Sequence, residues 1–500
     1  MKKDYHSPTP NSITILAFGA APDALTNAMS KKIITKEAYF SNIDQICKKV
    51  EECGFNCIIG HSSDMCENIL NAITKRKYNL GVILKLSVIT YTPSGTLLRI
   101  KEFLIGKKDW DKTLIKGWYI YDEPKYYMWG DATYEKSGEN ISMQDWDMLS
   151  TGYEICSELT PDLLSYWNLA VPNDTSDNSR DTIGDYENYE QYLEVLRILF
   201  KPSMWSYDVY PIIQYKDNPE INILHKHFYN SLRMFAHQYS SYGTVFWATA
   251  MTFEHDSYDK YTVNNGENKD IVYYLNHRRP MPTLGTLRFE IFSALACGAQ
   301  GIVFYRVGAS PLLPEYTPQK EGSYTTRAAI SYKNNELIYD TELITLFKKI
   351  NAEVRQFNDV FLGATPIDIL HAGHGYNDGL KVSSVLAPFF TITVYKEDGT
   401  PVTDKNASDW EGVLMTSLKM KNKTFVVIVS HNPYGAQQIK LTFADSIYVI
   451  RSSSYYSENW IPVPTISIEN DPHILPPNSH AKSGFYLLSP GGYLIIDTTP

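Results

Sequence analysis

GWYIYDEP, residues Gly117–Pro124, sets four apolar or aromatic residues against two adjacent carboxylates and a proline. A short, unbroken apolar run suits a strand buried on both faces of a parallel sheet. The proline ends it, because it brings no backbone N–H to a ladder. The same texture recurs in ITILAFGA (Ile13–Ala20), FNCIIG (Phe55–Gly60), LGVILKLS (Leu80–Ser87) and LLSYWNLA (Leu163–Ala170). MWSYDVYP (Met204–Pro211), TVFWATAMTF (Thr244–Phe253) and GIVFYRVG (Gly301–Gly308) bring the strands to eight. Helix-like segments lie between them. Ile43, Ile46, Cys47 and Val50 recur at helical spacing, and Gly54 suits the C-terminal cap. Eight such units predict an α/β fold of the (β/α)8 TIM-barrel type over residues 1–364, closed by a helix near Glu342–Phe357. The rival open sheet usually carries a glycine-rich phosphate turn after its first strand, and FGAAPDAL is not one.

Beyond residue 364 the texture changes. FFTITVYKEDG, KTFVVIVSHNPYG, QQIKLTFADSIYVIRSSS and GFYLLSPGGYLIID alternate apolar and polar residues, with turns at Asp398-Gly399, Pro433-Tyr434-Gly435 and Pro490-Gly491-Gly492. Residues 365–500 therefore read as a small all-β sandwich.

Bulk properties narrow the function. Forty-six basic against 56 acidic side chains give a net charge of −10, which weighs against a nucleic-acid partner. No run of about 18 apolar residues occurs, so no membrane span is expected. The opening MKKDYHSPTPNS has no apolar run behind its basic start, so no signal peptide is read in the chain. The reading is a soluble protein, periplasmic or secreted if a leader has been removed and otherwise cytoplasmic. The six cysteines lack zinc-finger spacing and read as buried free thiols. No metal or organic cofactor is expected. The 37 Tyr, 20 Phe and 9 Trp exceed what a core needs, and Tyr and Trp also suit binding surfaces.

In a (β/α)8 barrel the function sits where the strands end. Strand four ends in Asp122-Glu123-Pro124 and strand five in Trp167-Asn168. Strand six ends in Tyr207-Asp208-Val209-Tyr210-Pro211. Strand seven carries Trp247 and leads to Glu254-His255 in what reads as a long loop. Strand eight carries Tyr305-Arg306, and strand two ends at His61. Carboxylates, an amide and aromatics around one mouth match the needs of glycosidic cleavage. One carboxyl acts as acid/base, a second as nucleophile or base, and aromatic faces stack on sugar rings. Each residue also has a structural reading. Asp-Glu-Pro can end a strand and cap a helix, Asp208 can hold a turn, and Trp167 and Trp247 can fill the barrel. His61 can be a satisfied polar group, Glu254 a loop charge, and Glu290 a helix-packing residue.

GWYIYDEP, YDVYP, FWATAMTFEH and LRFEIFSALACGAQGIVFYRVG together resemble the clan-A glycoside hydrolases in the looser β-galactosidase-like and cellulase-like sense. The chain looks most like uncharacterised glycosidases of gut Bacteroidetes with a barrel followed by a β-sandwich. SPGGYLIID resembles the last strand of that accessory domain. The resemblance implies an O-glycosidase acting on an oligo- or polysaccharide. It gives Glu123 the acid/base role of the family's Asn-Glu-Pro motif, with Asp122 in place of the asparagine. An ionised aspartate accepts from a sugar hydroxyl and donates nothing. The family nucleophile is a glutamate at the end of strand seven. Here the first is Glu254, with Asp208 in reserve. His61, Asp122, Trp167, Asn168, Tyr210, Trp247 and Tyr305 are the expected sugar contacts. Two rivals stand beside this reading. One is a non-catalytic carbohydrate-binding barrel that has lost its nucleophile. The other is a metal-dependent hydrolase using His61, Asp64, Asp122 and Asp208.

Overall fold

The computed structural model describes the chain apart from residues 1–4, 6, 10, 86–110, 123–152, 170–185, 216–222, 225–227, 266–267, 310–321, 373–389, 403–409, 444–448, 453–454, 458–478, 481–483 and 499–500. The chain divides into two compact units. One comprises Met1–Ile221, Gly243–Met281 and Gly301–Ala352; the other comprises Asn222–Tyr242, Pro282–Gln300 and Glu353–Pro500.

The first unit is built on a closed barrel of eight parallel strands. These are β1 (Thr14–Phe18), β2 (Cys57–Ile59), β3 (Gly81–Lys85), β4 (Ile115–Asp122), β5 (Leu164–Leu169), β6 (Met204–Tyr207), β7 (Val245–Met251) and β8 (Gly301–Tyr305). They pair in chain order, and β8 closes on β1 with Thr14 opposite Gly301. Each coincides with or overlaps one of the eight apolar runs of the sequence, so the predicted fold class is the observed one. Helices occupy the connections: Asp23–Ser30 and Lys36–Glu52 follow β1, Ser63–Arg76 follows β2, and Tyr186–Phe200 follows β5.

Side-chain alternation along each strand sorts the barrel residues. The ring of Phe18 on β1 lies 5.7 Å from that of Tyr119 on β4, and Tyr166 on β5 lies 5.7 Å from Trp247 on β7. Rings from non-adjacent strands meet this closely only inside the barrel, so these residues face inward. Trp167 takes the opposite face. It packs 5.6 Å from Tyr153 and 4.8 Å from Phe200. Gly301 has to be glycine, because a Cβ there would lie 2.6 Å from the Trp247 indole.

Past β7 the chain does not form the loop expected from EHDSYDKYTVNN. Glu254–Asn265 and Asn268–Arg279 pair as an antiparallel hairpin, flanked by Gly322–Arg327 on one side and Ile212–Tyr215 on the other. The expected loop is corrected to a hairpin that forms part of a five-stranded sheet. Its alternation and its turn at Asn264–Asn268 are strand signals that outweigh the hydrophilic composition.

The second unit contains two antiparallel sheets. Thr365–Ala372, Val413–Met420, Lys423–Ser430, Tyr493–Asp497, Val449–Ser452 and Ser479–His480 form one; Phe390–Tyr395, Gln437–Phe443, Gly484–Leu488 and Tyr455–Ser457 form the other. Both contribute to one apolar core, including Val413, Val426, Ile439, Leu441, Tyr486 and Leu494. The helices Phe228–Tyr242 and Leu284–Ala296 belong to this unit. Arg288 on the latter pairs with Glu353 at 2.6 Å, and Phe292 stacks on Tyr493 at 3.7 Å. Glu290, fully within that helix, is 5% exposed.

Candidate active site

The carboxyl ends of the strands gather a connected aromatic floor. Phe18 stands 5.3 Å from Tyr305, 5.7 Å from Tyr119 and 6.2 Å from His61. Tyr305 continues to Tyr210 at 6.2 Å and to Phe253 at 5.7 Å, and Phe253 stacks on His255 at 5.2 Å. Met251, Ala309 and Ala328 pack with Tyr210, Phe253 and Tyr305. Thr252 donates to the Tyr305 carbonyl and so ties the end of β7 to that of β8. Cations cover three of the tyrosines. Lys85 lies 5.0 Å from the Tyr119 ring, Arg279 lies 4.3 Å from Tyr210, and Arg306 lies 5.8 Å from Tyr305. Such contacts contribute about 0.5–1 kcal/mol at exposed sites and more when desolvated.

His61 follows β2 and enters a notch that only glycine provides. Gly19 has φ +59°, and a Cβ on it would lie 2.3 Å from the His61 Cε1. Gly308 closes the same corner. Its N–H donates to the Gly19 carbonyl, and a Cβ there would meet the Ala20 carbonyl oxygen at 2.0 Å. Burial pushes the His61 pKa below its ordinary value. Asp23 pulls it back up, as does a backbone hydrogen bond with Gly308, while Arg306 and Lys85 lower it further. The imidazole Nε2 has no hydrogen-bond partner among the described residues.

Asn168 points into the barrel. Ser206 donates to its Oδ1 at 3.3 Å, and Tyr166 lies 3.1 Å from the Ser206 hydroxyl. Ser206 has a single O–H, so Tyr166 is the donor in the second bond. The strand register sets Asp122 opposite Asn168 and Asn168 opposite Ser206.

The remaining expected residues fall in different places. Glu123 lies outside the described residues. Asp208 directly follows β6 and is half-buried; Tyr210, two residues on, is 8% exposed. Glu254 begins the hairpin rather than sitting in a loop. It is half-buried, pairs with Arg327 along the backbone, and accepts from Thr326 at 3.1 Å. Trp167 and Trp247 are both fully buried. Trp167 faces the helices. Trp247 fills the barrel at the level of Gly301, the first residue of β8, and its indole N–H lies 3.2 Å from the Tyr5 hydroxyl. Neither tryptophan presents an open face at the strand ends, which corrects their reading as sugar platforms. Their burial is the cause: each indole already fills a packed layer. The sequence reading named Arg306 at the end of strand eight but did not single out Phe18, Tyr119, Lys85 or Arg279. Phe18, Lys85 and Tyr119 are inward-phase residues near the ends of their strands, a signal available from alternation alone.

Among the described residues no group of three or more His, Cys, Asp or Glu side chains stands together as a metal site requires. Among the same residues no helix is long and apolar enough to cross a membrane.

No protein-family profile matches the chain, and no curated protein is similar to it. Solved structures are similar to it at low identity. An α-L-arabinofuranosidase of family 51 from Bifidobacterium longum is 9% identical with a TM-score of 0.40, over 100% of this chain and 97% of that one. A β-galactosidase from Marinomonas ef1 is 9% identical with a TM-score of 0.40, over 70% of this chain and 60% of that one. The homocysteine methyltransferase MmuM from Escherichia coli is 9% identical with a TM-score of 0.30, over 59% of this chain and 90% of that one. Likenesses of this strength assign neither substrate nor mechanism to this chain.

Proposed function

We propose that the protein is a glycoside hydrolase that cleaves an O-glycosidic bond in an oligo- or polysaccharide with two carboxyl groups. The barrel domain, residues 1–364, would carry the reaction, and residues 365–500 would form the accessory sheet domain. The observation that supports this best is the half-buried Tyr305, His61 and Asp208 at the strand ends, over a packed layer of Phe18, Tyr119 and Tyr210. Sugars are bound by flat aromatic faces with a few fixed polar groups, and those are the group types gathered here. In this reading Glu123 gives a proton to the leaving oxygen and later takes one from water. Glu254 is the nucleophile, with Asp208 as the alternative because it directly follows a barrel strand. Asp122, His61, Asn168, Tyr210 and Tyr305 hold the sugar.

The second reading is a carbohydrate-binding barrel without catalysis. It draws on the end of β7, Ala248-Thr249-Ala250-Met251, which has no carboxylate, and on Glu254, which is engaged by Thr326. A screen of aryl glycosides and a glycan array on the purified protein, with and without chelator, separates the readings. Hydrolysis unaffected by chelator is the expected result. Binding without hydrolysis would favour the second reading, and chelator-sensitive hydrolysis would favour a metal enzyme.

A further inference from the structure

Two cations lie over the strand-end floor. Lys85 ends β3, Arg306 directly follows β8, and both are half-buried. Neither forms an ion pair among the described residues. Lys85 lies over Tyr119 and Arg306 over Tyr305, while Phe18 bridges the two rings at 5.7 and 5.3 Å. Both cations act on the same imidazole, that of His61. The acidic group that acts on it from the other side is Asp23, exposed at the first residue of its helix. Arg306 also holds a left-handed backbone, φ +55°, with its Nη1 3.4 Å from the Thr325 hydroxyl. That conformation is strained for a non-glycine residue and persists where the surroundings impose it.

Partly desolvated positive charge is stabilised by an anion beside it. Guanidinium and ammonium groups at one mouth suit a carboxylate or a sulfate. We propose that this patch receives the charged group of an acidic sugar, a uronate carboxylate or a sulfate ester. Arg306 and Lys85 take the charge. This deepens the glycosidase reading of the same mouth and rests on it for the word sugar.

The test is a binding comparison by calorimetry with matched probes. Uronic-acid oligosaccharides are set against their methyl esters, and sulfated oligosaccharides against their desulfated forms. The wild-type protein is expected to favour one charged probe over its neutral partner by about tenfold or more, the scale of a charge-assisted contact. Added salt should shrink that preference. Lys85→Gln and Arg306→Asn should each reduce it severalfold; asparagine tolerates the left-handed backbone. The pair that discriminates tells carboxylate from sulfate. Equal binding of charged and neutral probes by the wild type would overturn the proposal, whatever the variants do. The outcomes stay separable from those of the glycosidase reading. Hydrolysis of neutral glycosides without a charge preference defeats this inference alone. A charge preference without hydrolysis defeats the catalytic reading alone.

Discussion

At His61 the imidazole is held by the Gly19 notch, and its burial keeps it neutral below the ordinary histidine range. An unfolded chain takes up this proton near pH 6.5, the folded chain only at lower pH. Between the two values the unfolded state binds more protons, so folding stability falls as pH drops below about 6.5. The urea midpoint of the wild type should therefore fall faster on acidification than that of His61→Gln. Parallel pH curves would remove His61 as the source. Trp167 and Asn168 show what a sequence holds at this scale. Adjacent strand residues point to opposite faces, so the two could not both line the mouth. Asn168 faces Ser206 inside, and Trp167 packs on Phe200 outside. Trp167→Ala should accordingly cost about 3–5 kcal/mol of stability in urea unfolding, as for a large buried aromatic. A loss of sugar affinity with no loss of stability would restore the platform role.

The strands β1 and β8 carry the clearest local constraint. Gly19 combines a positive φ with contact to His61, and Gly308 meets the Ala20 carbonyl. Gly308→Ala pushes a methyl into backbone that cannot swing away, so it should destabilise more than Gly19→Ala. Gly19→Ala should still cost about 1 kcal/mol or more, because alanine disfavours that φ. Equal midpoints for Gly308→Ala and the wild type would contradict the close approach. A bulge in β4 explains another limit of the sequence reading. Tyr119 pairs with Tyr166, yet Tyr121 pairs with Trp167 and Asp122 with Asn168. A strict residue-by-residue count from Tyr119 misplaces the register of Asp122 by one, and no residue in GWYIYDEP announces the bulge. The hairpin after β7 was legible in principle, since EHDSYDKYTVNN and NKDIVYYLNHRR alternate around a glycine turn. Charge-rich composition hid it.

For the whole molecule, continuous apolar strands at regular intervals carried the barrel, because a parallel sheet covered on both faces leaves that imprint. The mouth was less legible, since ring-to-ring packing among Phe18, Tyr119 and Tyr305 joins strands far apart in the chain. Thiol chemistry reports on the packing of the whole. All six cysteines are free and buried, with burial pushing Cys53 up to about 11 and Cys57 to about 12. A disulfide-exchange reagent should find almost no reactive thiol in the native protein and all six after denaturation. Fast native reaction would contradict the packed interior. The central claim is two-carboxylate glycoside cleavage with Glu123 as the acid/base. It is tested most directly by the rate at which wild type and Glu123→Gln release reducing sugar from an unactivated oligosaccharide identified in the screen. The account predicts turnover by the wild type and a loss of about 10²–10⁴-fold in the variant. Equal turnover by the two proteins would contradict it.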